Sequence, residues 1–259
     1  MIILAVVNQK GGVGKTTTAV TLAHGLAQRD YHTLLIDLDA QGNVADCLGL
    51  ETGNDLYRLL FPGMALPLAQ GVTPSGRPRL DVVRSDRTTT QLKIALGAAD
   101  MREYVLDDLL KDASYDVVIL DCAPSMDVLH TAAMVAAHYI LIPTRLDQLA
   151  VKGVRDVLTT LQGLSRISTC QLGAIIPTFY DRQTNESLLQ LKHLARHFKE
   201  QVWPPIPQDV HCRESTRYGK TLWEYAPQAR ALLGYTHTRG QSVGGYIQMV
   251  DRVEEVLLR

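Results

Sequence analysis

The sequence predicts an α/β fold in which a mostly parallel, twisted sheet is flanked by helices. Apolar runs of strand length alternate with longer segments of helical periodicity along nearly the whole chain, as in successive βαβ units. The run 33–37 (TLLID) is apolar on both faces, which is typical of a central parallel strand, and 117–120 (VVIL) is the clearest buried strand. A glycine-rich turn joins the first apolar run to the first helical segment, and ligands bind at such turns along the carboxyl edge of the sheet.

The pattern places each element in turn. Strands are expected at 2–7, 33–37, 80–84, 117–120, 139–142 and 172–176, and helices at 16–28, 88–99, 101–110, 151–164, 186–199 and 246–258. The stretch 43–80 is rich in Gly and Pro, so one or two short helices and a surface loop are expected there. Neither an internal repeat nor a linker interrupts the chain, and 1–259 is therefore predicted to form a single domain.

The composition narrows the class of protein. Hydrophobic residues make up 46% and charged residues 20%, which is ordinary for a soluble globular protein. The 26 basic and 27 acidic residues leave a net charge of −1, so nucleic-acid binding would require a local basic patch. The four cysteines form no C-x-x-C pair, which argues against a disulfide framework, an iron–sulfur cluster or a zinc ribbon and fits a reducing cytoplasm. No run approaches the roughly 20 apolar residues of a membrane span, and no signal peptide is evident.

The segment from Lys10 to Thr17 (KGGVGKTT) is predicted to bind phosphate. It follows a strand and opens a helix, so backbone N–H groups of the turn and the first helical turn point into one concavity. Lys15 supplies a positive charge for the β- and γ-phosphates, and the Thr16 hydroxyl can ligate Mg²⁺. Gln9 stands where the usual pattern has its first glycine. The expected nucleotide contacts are Gly11, Gly12, Val13, Gly14, Lys15, Thr16 and Thr17.

Two carboxylates follow predicted strands and should face this loop. Asp39 comes just after the second strand, where it can orient the attacking water or bind Mg²⁺ through water. Its alternative role is to cap a helix N-terminus. Asp121 ends the most apolar strand, and this position lets its carboxylate reach Mg²⁺ together with Thr16.

These motifs together resemble the ParA/MinD family of partition and positioning ATPases. The loop matches the family's deviant Walker A box, 37–43 matches its D-x-D-x-Q-G-N switch with Ala40 where proline is commoner, and 121–124 resembles its D-x-P-P switch. The resemblance implies a P-loop NTPase fold with ATP and Mg²⁺ as cofactors. It also implies that Asp39 supports hydrolysis and that Lys10 reaches the partner's phosphates in an ATP-bound homodimer.

The resemblance extends, less strongly, into the C-terminal third. Residues 206–220 look like the family's I-P-x-[ND]…E-A-x-x-x-G-[KQ] segment, which implies that Pro207 and Gln208 contact the base. The family binds nonspecific double-stranded DNA through basic residues of this region. The candidate DNA contacts here are Arg213, Arg217, Lys220, Arg230 and Arg239, and a merely solvated charged face is the alternative.

The resemblance implies a slow, Mg²⁺-dependent ATPase that dimerises on ATP and then binds DNA. A ParB-like or other cargo-adaptor protein would stimulate hydrolysis, so that a chromosome, plasmid or other cargo is segregated or positioned. The protein is expected in the cytoplasm, associated with the nucleoid and not with a membrane.

Two alternative functions stay open. A MinD-like membrane-bound positioner would need a basic amphipathic C-terminal helix, and 250–259 is too acidic for one. A metabolic or electron-transfer relative, such as the nitrogenase iron protein type, would need bridging cysteines.

Overall fold

The computed structural model of the protein describes residues 1–64, 66–236 and 242–258. In this part of the chain the strands are β1 (Ile2–Val6), β2 (Thr33–Asp37), β3 (Thr73–Arg77), β4 (Leu80–Val83), β5 (Val117–Asp121), β6 (Tyr139–Arg145), β7 (Gln171–Thr178), β8 (Tyr235–Thr236) and β9 (Ser242–Val243). The helices are α1 (Lys15–Ala27), α2 (Asn43–Leu48), α3 (Asp55–Leu60), α4 (Thr88–Gly97), α5 (Val105–Leu110), α6 (Val128–Ala136), α7 (Ala150–Gly163), α8 (Asn185–Phe198), α9 (His211–Arg217), α10 (Leu222–Tyr225), α11 (Arg230–Leu233) and α12 (Gly245–Leu257).

Seven strands form one sheet in the order β3-β4-β2-β5-β1-β6-β7. Every neighbouring pair is parallel except β3 with β4, which confirms the predicted α/β class. The central strands β1, β2 and β5 are almost wholly buried, as their continuous apolar sequences require. Their carboxyl ends lie side by side, and this edge carries the candidate site.

The edge strand β3 corrects one sequence expectation. The Gly- and Pro-rich stretch 43–80 predicts one or two short helices and a surface loop, and no strand. Instead Thr73–Arg77 runs antiparallel to β4, with an irregularity in the register between Pro74 and Arg77. Proline is tolerated here because an edge strand needs only one row of hydrogen bonds. The Ser75 hydroxyl, which is buried, donates to the carbonyl of Leu80 at 2.5 Å.

Other elements differ in detail from the sequence pattern. The helix expected at 101–110 is divided into a short 3₁₀ turn, Arg102–Tyr104, and α5. Helix α6 was not anticipated, because its 9 residues show little polar periodicity and are mostly buried. Its N-terminus is defined by the carboxylate of Asp127, which accepts hydrogen bonds from the backbone N–H groups of Leu129 and His130.

Helices cover both faces of the sheet, and the last one is part of the core. One face packs against α1 and the C-terminal elements, and the other packs against α3 to α8. Helix α12 buries Tyr246, Met249, Val250 and Val253, and the Tyr246 hydroxyl lies 3.2 Å from that of Thr18 in α1. The apolar face of α12 is therefore used for packing within the subunit. Within the described ranges, no helix is both long and apolar enough to span a membrane.

Candidate nucleotide-binding site and cationic surface

The phosphate-binding loop lies between β1 and α1. Gly12 and Gly14 have φ angles of 70° and 89°, a left-handed conformation that glycine adopts without a steric penalty. Asn8 braces the loop: its side chain accepts from the N–H of Lys10 at 2.9 Å and donates to the carbonyl of Pro143 at 2.8 Å. The loop thus opens α1 with its first N–H groups directed to the carboxyl edge, an arrangement suited to anions.

Lys15 is the first residue of α1 and is buried. Its ammonium group donates to the carbonyl of Lys10 at 3.1 Å, across the concave side of the loop. Burial lowers the pKa of Lys15, and the nearby charges of Asp121 and Asp39 oppose this effect. The loop therefore contains a partly desolvated cation that phosphate oxygens can neutralise.

Asp37 and Asp121 face each other at the tips of β2 and β5, where they are paired in the sheet register. Both are fully buried. Burial raises both pKa values, that of Asp37 to about 7, and the charge of Asp39 adds to each shift. The charge of Asp37 also raises the pKa of Asp121, while a hydrogen bond from Thr16 and the charge of Lys15 act against that shift. Asp37 accepts from the N–H groups of Asp39 and Val44, at 2.9 and 3.1 Å. One oxygen of Asp121 has no hydrogen-bond partner among the described residues.

This acidic pair has the donors that Mg²⁺ needs beside a nucleotide. The unpartnered carboxylate oxygen of Asp121 and the Thr16 hydroxyl can accept a hard cation, whose charge would also relieve the repulsion from Asp37. The described residues contain no cluster of three or more His, Cys, Asp or Glu suited to a metal ion. The site therefore fits an ion that shares its coordination with phosphate oxygens and water rather than one held in a protein cage.

Asp39 lies at the same edge, within electrostatic range of Lys15 and Asp121. One oxygen of its carboxylate accepts from the N–H of Gln41 at 3.1 Å, and its backbone carbonyl accepts from the Ser85 hydroxyl. Lys15, Asp39 and Asp121, which the motifs selected, thus lie at one edge. The alternative role of Asp39 as a helix cap is wrong for α2, whose N-cap is Gly42 and whose Val44 N–H donates to Asp37.

Lys10 is held within its own subunit. Its ammonium group forms an ion pair with Asp147 in the segment that follows β6. The other oxygen of Asp147 accepts from the N–H of Leu149, just before α7. Asp147 is a residue that sequence reasoning missed, because 137 positions separate it from Lys10.

The predicted base-binding residues lie beside the end of β7. Pro207 is buried and Gln208 is exposed, and the N–H of Gln208 donates to the carbonyl of Tyr180 at 2.9 Å. A small pocket opens here between the loop, the end of β7 and α12. Its lining residues are Gly14, Thr17, Thr178, Phe179, Ile206, Pro207, Gln208, Asp209, Cys212 and Tyr246. The pocket adjoins the phosphate-binding loop, as a site for a nucleoside must.

The predicted DNA contacts form an exposed surface on the C-terminal elements. Arg213, Arg217 and Lys220 lie on and just after α9, and Arg230 begins α11; all four are exposed. Arg239 lies outside the described residues. Tyr218 and Tyr225 stack beside these cations, with ring centroids 5.3 Å apart.

A further arginine joins this surface from a distant part of the sequence. The guanidinium groups of Arg182 and Arg230 lie 5.0 and 5.6 Å from the ring centroid of Tyr235. Sequence reasoning missed Arg182 because it follows β7, well before the basic cluster. Only the fold brings it to Tyr235.

Comparison with known proteins agrees with this geometry. A family model named AAA_31, described as an AAA domain, matches residues 1–172. The chromosome partitioning protein ParA of Caulobacter vibrioides is 34% identical over 233 residues, which are 86% of this chain and 86% of that protein. The chromosome-partitioning ATPase Soj of Thermus thermophilus is 35% identical over 237 residues, covering 90% of this chain and 91% of the relative. This chain belongs to the ParA/Soj family of partitioning ATPases.

Solved structures place the ParA/Soj fold among wider relatives. The apo form of McdA from Cyanothece has a TM-score of 0.79 at 25% identity, covering 86% of this chain and 92% of that one. Cobyrinic acid a,c-diamide synthase of Mycobacterium smegmatis, with a bound ATP analogue and magnesium, has a TM-score of 0.74 at 28% identity, covering 88% and 96%. The resemblance inferred from the sequence motifs is thus confirmed, and the chain is a P-loop ATPase of the partitioning and positioning class.

Proposed function

We propose that this ParA/Soj-type ATPase hydrolyses ATP with Mg²⁺, dimerises when it binds ATP, and binds DNA without sequence preference as a dimer. The observation that carries the proposal is a direct structural connection between the acidic edge and the cationic surface. The backbone N–H of Val44, in the first turn of α2, donates to the carboxylate of Asp37, and α2 in turn packs against α9, which bears Arg213 and Arg217. A change at the nucleotide can therefore reach the DNA-binding side chains through two packed helices.

The contact between α2 and α9 is unusually close. Gly49, at the end of α2, and Gly219, after α9, approach so that a Cβ on Gly219 would lie 2.5 Å from the Cα of Gly49. Arg77 of β3 donates to the carbonyl of Leu48 at 2.7 Å and to that of Gly219 at 3.2 Å. Such packing transmits a displacement instead of absorbing it, because tightly packed interfaces deform little.

The chemistry assigns a role to each residue of the edge. The loop amides and Lys15 bind the phosphates, and Thr16 and Asp121 would hold Mg²⁺, which neutralises charge on the transferred phosphoryl group. Asp39 orients the attacking water. Lys10 leaves Asp147 and completes charge neutralisation at the partner's phosphates, which links dimerisation to bound ATP. Pro207 and Gln208 contact the base.

Dimerisation explains how a nearly neutral subunit can bind DNA. Two copies double the number of exposed arginines and lysines that reach phosphates at once, and each additional contact multiplies the affinity. A ParB-like or other cargo-adaptor protein would then release the dimer by stimulating hydrolysis. This cycle implies a slow intrinsic turnover and a cytoplasmic location on the nucleoid, with 1–259 acting as one unit.

The test is binding of the purified protein to random-sequence duplex DNA with ATP, with ADP and without nucleotide, across a salt series. The expected result is binding with ATP alone, which weakens steeply as salt rises. A matched variant, Arg217→Gln, should retain ATP hydrolysis and lose DNA affinity. If the wild type hydrolyses ATP but binds DNA in no nucleotide state, the proposal that the dimer binds DNA is wrong.

The packing of α12 within the core gives no support to the alternative of a membrane-bound positioner. Liposome sedimentation with ATP tests that alternative.

A further inference from the structure

A third cation lies beside the phosphate-binding loop, and the motifs do not account for it. Arg145 is the last residue of β6 and is exposed. Its guanidinium carbon lies 5.0 Å from the ring centroid of Phe179, directly after β7. Among the described residues Arg145 forms no ion pair, whereas the nearby carboxylate of Asp147 is paired with Lys10.

Phe179 connects Arg145 to the loop. Its φ angle of 54° is uncommon for a bulky residue and marks a constrained position. The ring reaches the loop, since a Cβ added to Gly14 would lie 3.8 Å from the Cε2 atom of Phe179. The preceding residue, Thr178, donates from its hydroxyl to the carbonyl of Val13 at 2.9 Å. Phe179 also lines the small pocket that holds the predicted base contacts.

We propose that Arg145 is a nucleotide-binding residue that contacts the phosphate chain and that Phe179 is its positioning residue. This inference rests on the proposed function, because it requires the pocket to bind a nucleotide. A guanidinium that stacks on a ring keeps its N–H donors free in its own plane. Those donors can form paired hydrogen bonds to phosphate oxygens, which a lysine cannot match geometrically.

The charge distribution at this edge supports the assignment. Lys10 is neutralised by Asp147, and Lys15 is buried at the loop with the carboxylates of Asp121 and Asp39 nearby. Arg145 is the third cation at this edge, and its contact with the Phe179 ring places it beside the loop. An anion with several negative charges would gain from it without first breaking an ion pair.

The experiment measures the affinity of the full chain for the nonhydrolysable analogue AMPPNP with Mg²⁺ by isothermal titration calorimetry. Arg145→Gln is expected to weaken AMPPNP binding about 10-fold, because it removes one partly screened, charge-assisted contact. Arg145→Lys, which keeps the charge, should recover part of the loss, and Phe179→Leu should give an intermediate loss. The matched control is Arg166→Gln, which alters an exposed arginine after α7. The effect should shrink at high salt.

The outcomes separate this inference from the proposed function. If the wild type does not bind AMPPNP, the proposed nucleotide chemistry fails. If the wild type binds and Arg145→Gln binds equally well, the assignment of Arg145 alone is overturned. A loss confined to DNA binding, with unchanged AMPPNP affinity, would move Arg145 to the DNA surface and overturn it too.

Discussion

The variant Asp147→Asn removes the ion pair that holds Lys10 within its own subunit and so measures its effect on dimerisation. Asparagine keeps an oxygen for the N–H of Leu149, which Asp147 accepts at 3.0 Å, so the start of α7 should be preserved. The side chains of Lys10 and Asp147 are 38% and 33% exposed. An ion pair with this exposure stabilises the conformation that contains it by about 0.2–1 kcal/mol.

The proposed dimer breaks this pair twice, once in each subunit. Removing the carboxylate should therefore favour dimerisation by about 0.4–2 kcal/mol, which lowers the dimer dissociation constant about 2- to 30-fold. Sedimentation equilibrium with AMPPNP and Mg²⁺ over a range of protein concentrations measures the shift. The difference from the wild type should diminish as salt rises, because salt already weakens the pair.

Two further variants complete the measurement. In a Lys10→Ala background, Asp147→Asn should have no effect, because the double-mutant cycle then contains no pair to break. Asp156→Asn, a change at an exposed acid of α7, the helix that follows Asp147, is the matched control for a general change in charge. Unchanged or weaker dimerisation of Asp147→Asn, with normal AMPPNP binding, would refute the view that Asp147 competes with the partner's nucleotide for Lys10.

The remaining predictions concern acids of the site. Asp39→Ala should bind ATP normally, hydrolyse it at least about 100-fold more slowly, and remain on DNA; normal steady-state hydrolysis would contradict its role. Asp121→Asn should raise the free energy of unfolding without nucleotide at pH 8 by about 1–2 kcal/mol. Burial raises the pKa of Asp37, to about 7, and that of Asp121, so the wild type loses stability as pH rises from about 4 through about 7. Urea unfolding across this range should show a flatter profile for the variant, together with weaker stabilisation by Mg²⁺ and ATP. Asp127→Ala removes the cap of α6 and should cost about 1–2 kcal/mol in the same assay, whereas Asp100→Ala, a change at an exposed acid, should cost little.

Local sequence was sufficient to predict those parts of the site that one short segment forms by itself. The apolar run before Lys10 predicts a buried strand, and the glycines that follow permit the left-handed turns at Gly12 and Gly14. The same reasoning placed Asp39 and Asp121 at strand ends, because parallel strands present their carboxyl ends at one edge. The membership in the ParA/Soj family could likewise be predicted from these motifs.

Other parts of the site depend on contacts between remote segments. Asp37 was part of a recognised motif, but its pairing with Asp121 follows from the register of β2 against β5. Arg182 reaches Tyr235 only because the turn after β7 lies beside the C-terminal elements. Pattern reasoning also failed at β3, where a proline-containing segment pairs at the sheet edge, since pairing there depends on a neighbour and not on the segment's own propensity.

The sequence by itself determined the α/β class, the phosphate-binding loop and the acids at the strand ends, because backbone geometry and hydrophobic periodicity act over a few residues. Only the tertiary structure decided which side chains meet. It pairs Lys10 with Asp147, Asp37 with Asp121 and the guanidinium of Arg145 with the ring of Phe179. The physical reason is that electrostatic and ring contacts act over a few ångströms of space, and the order of the strands sets that distance without regard to separation along the chain.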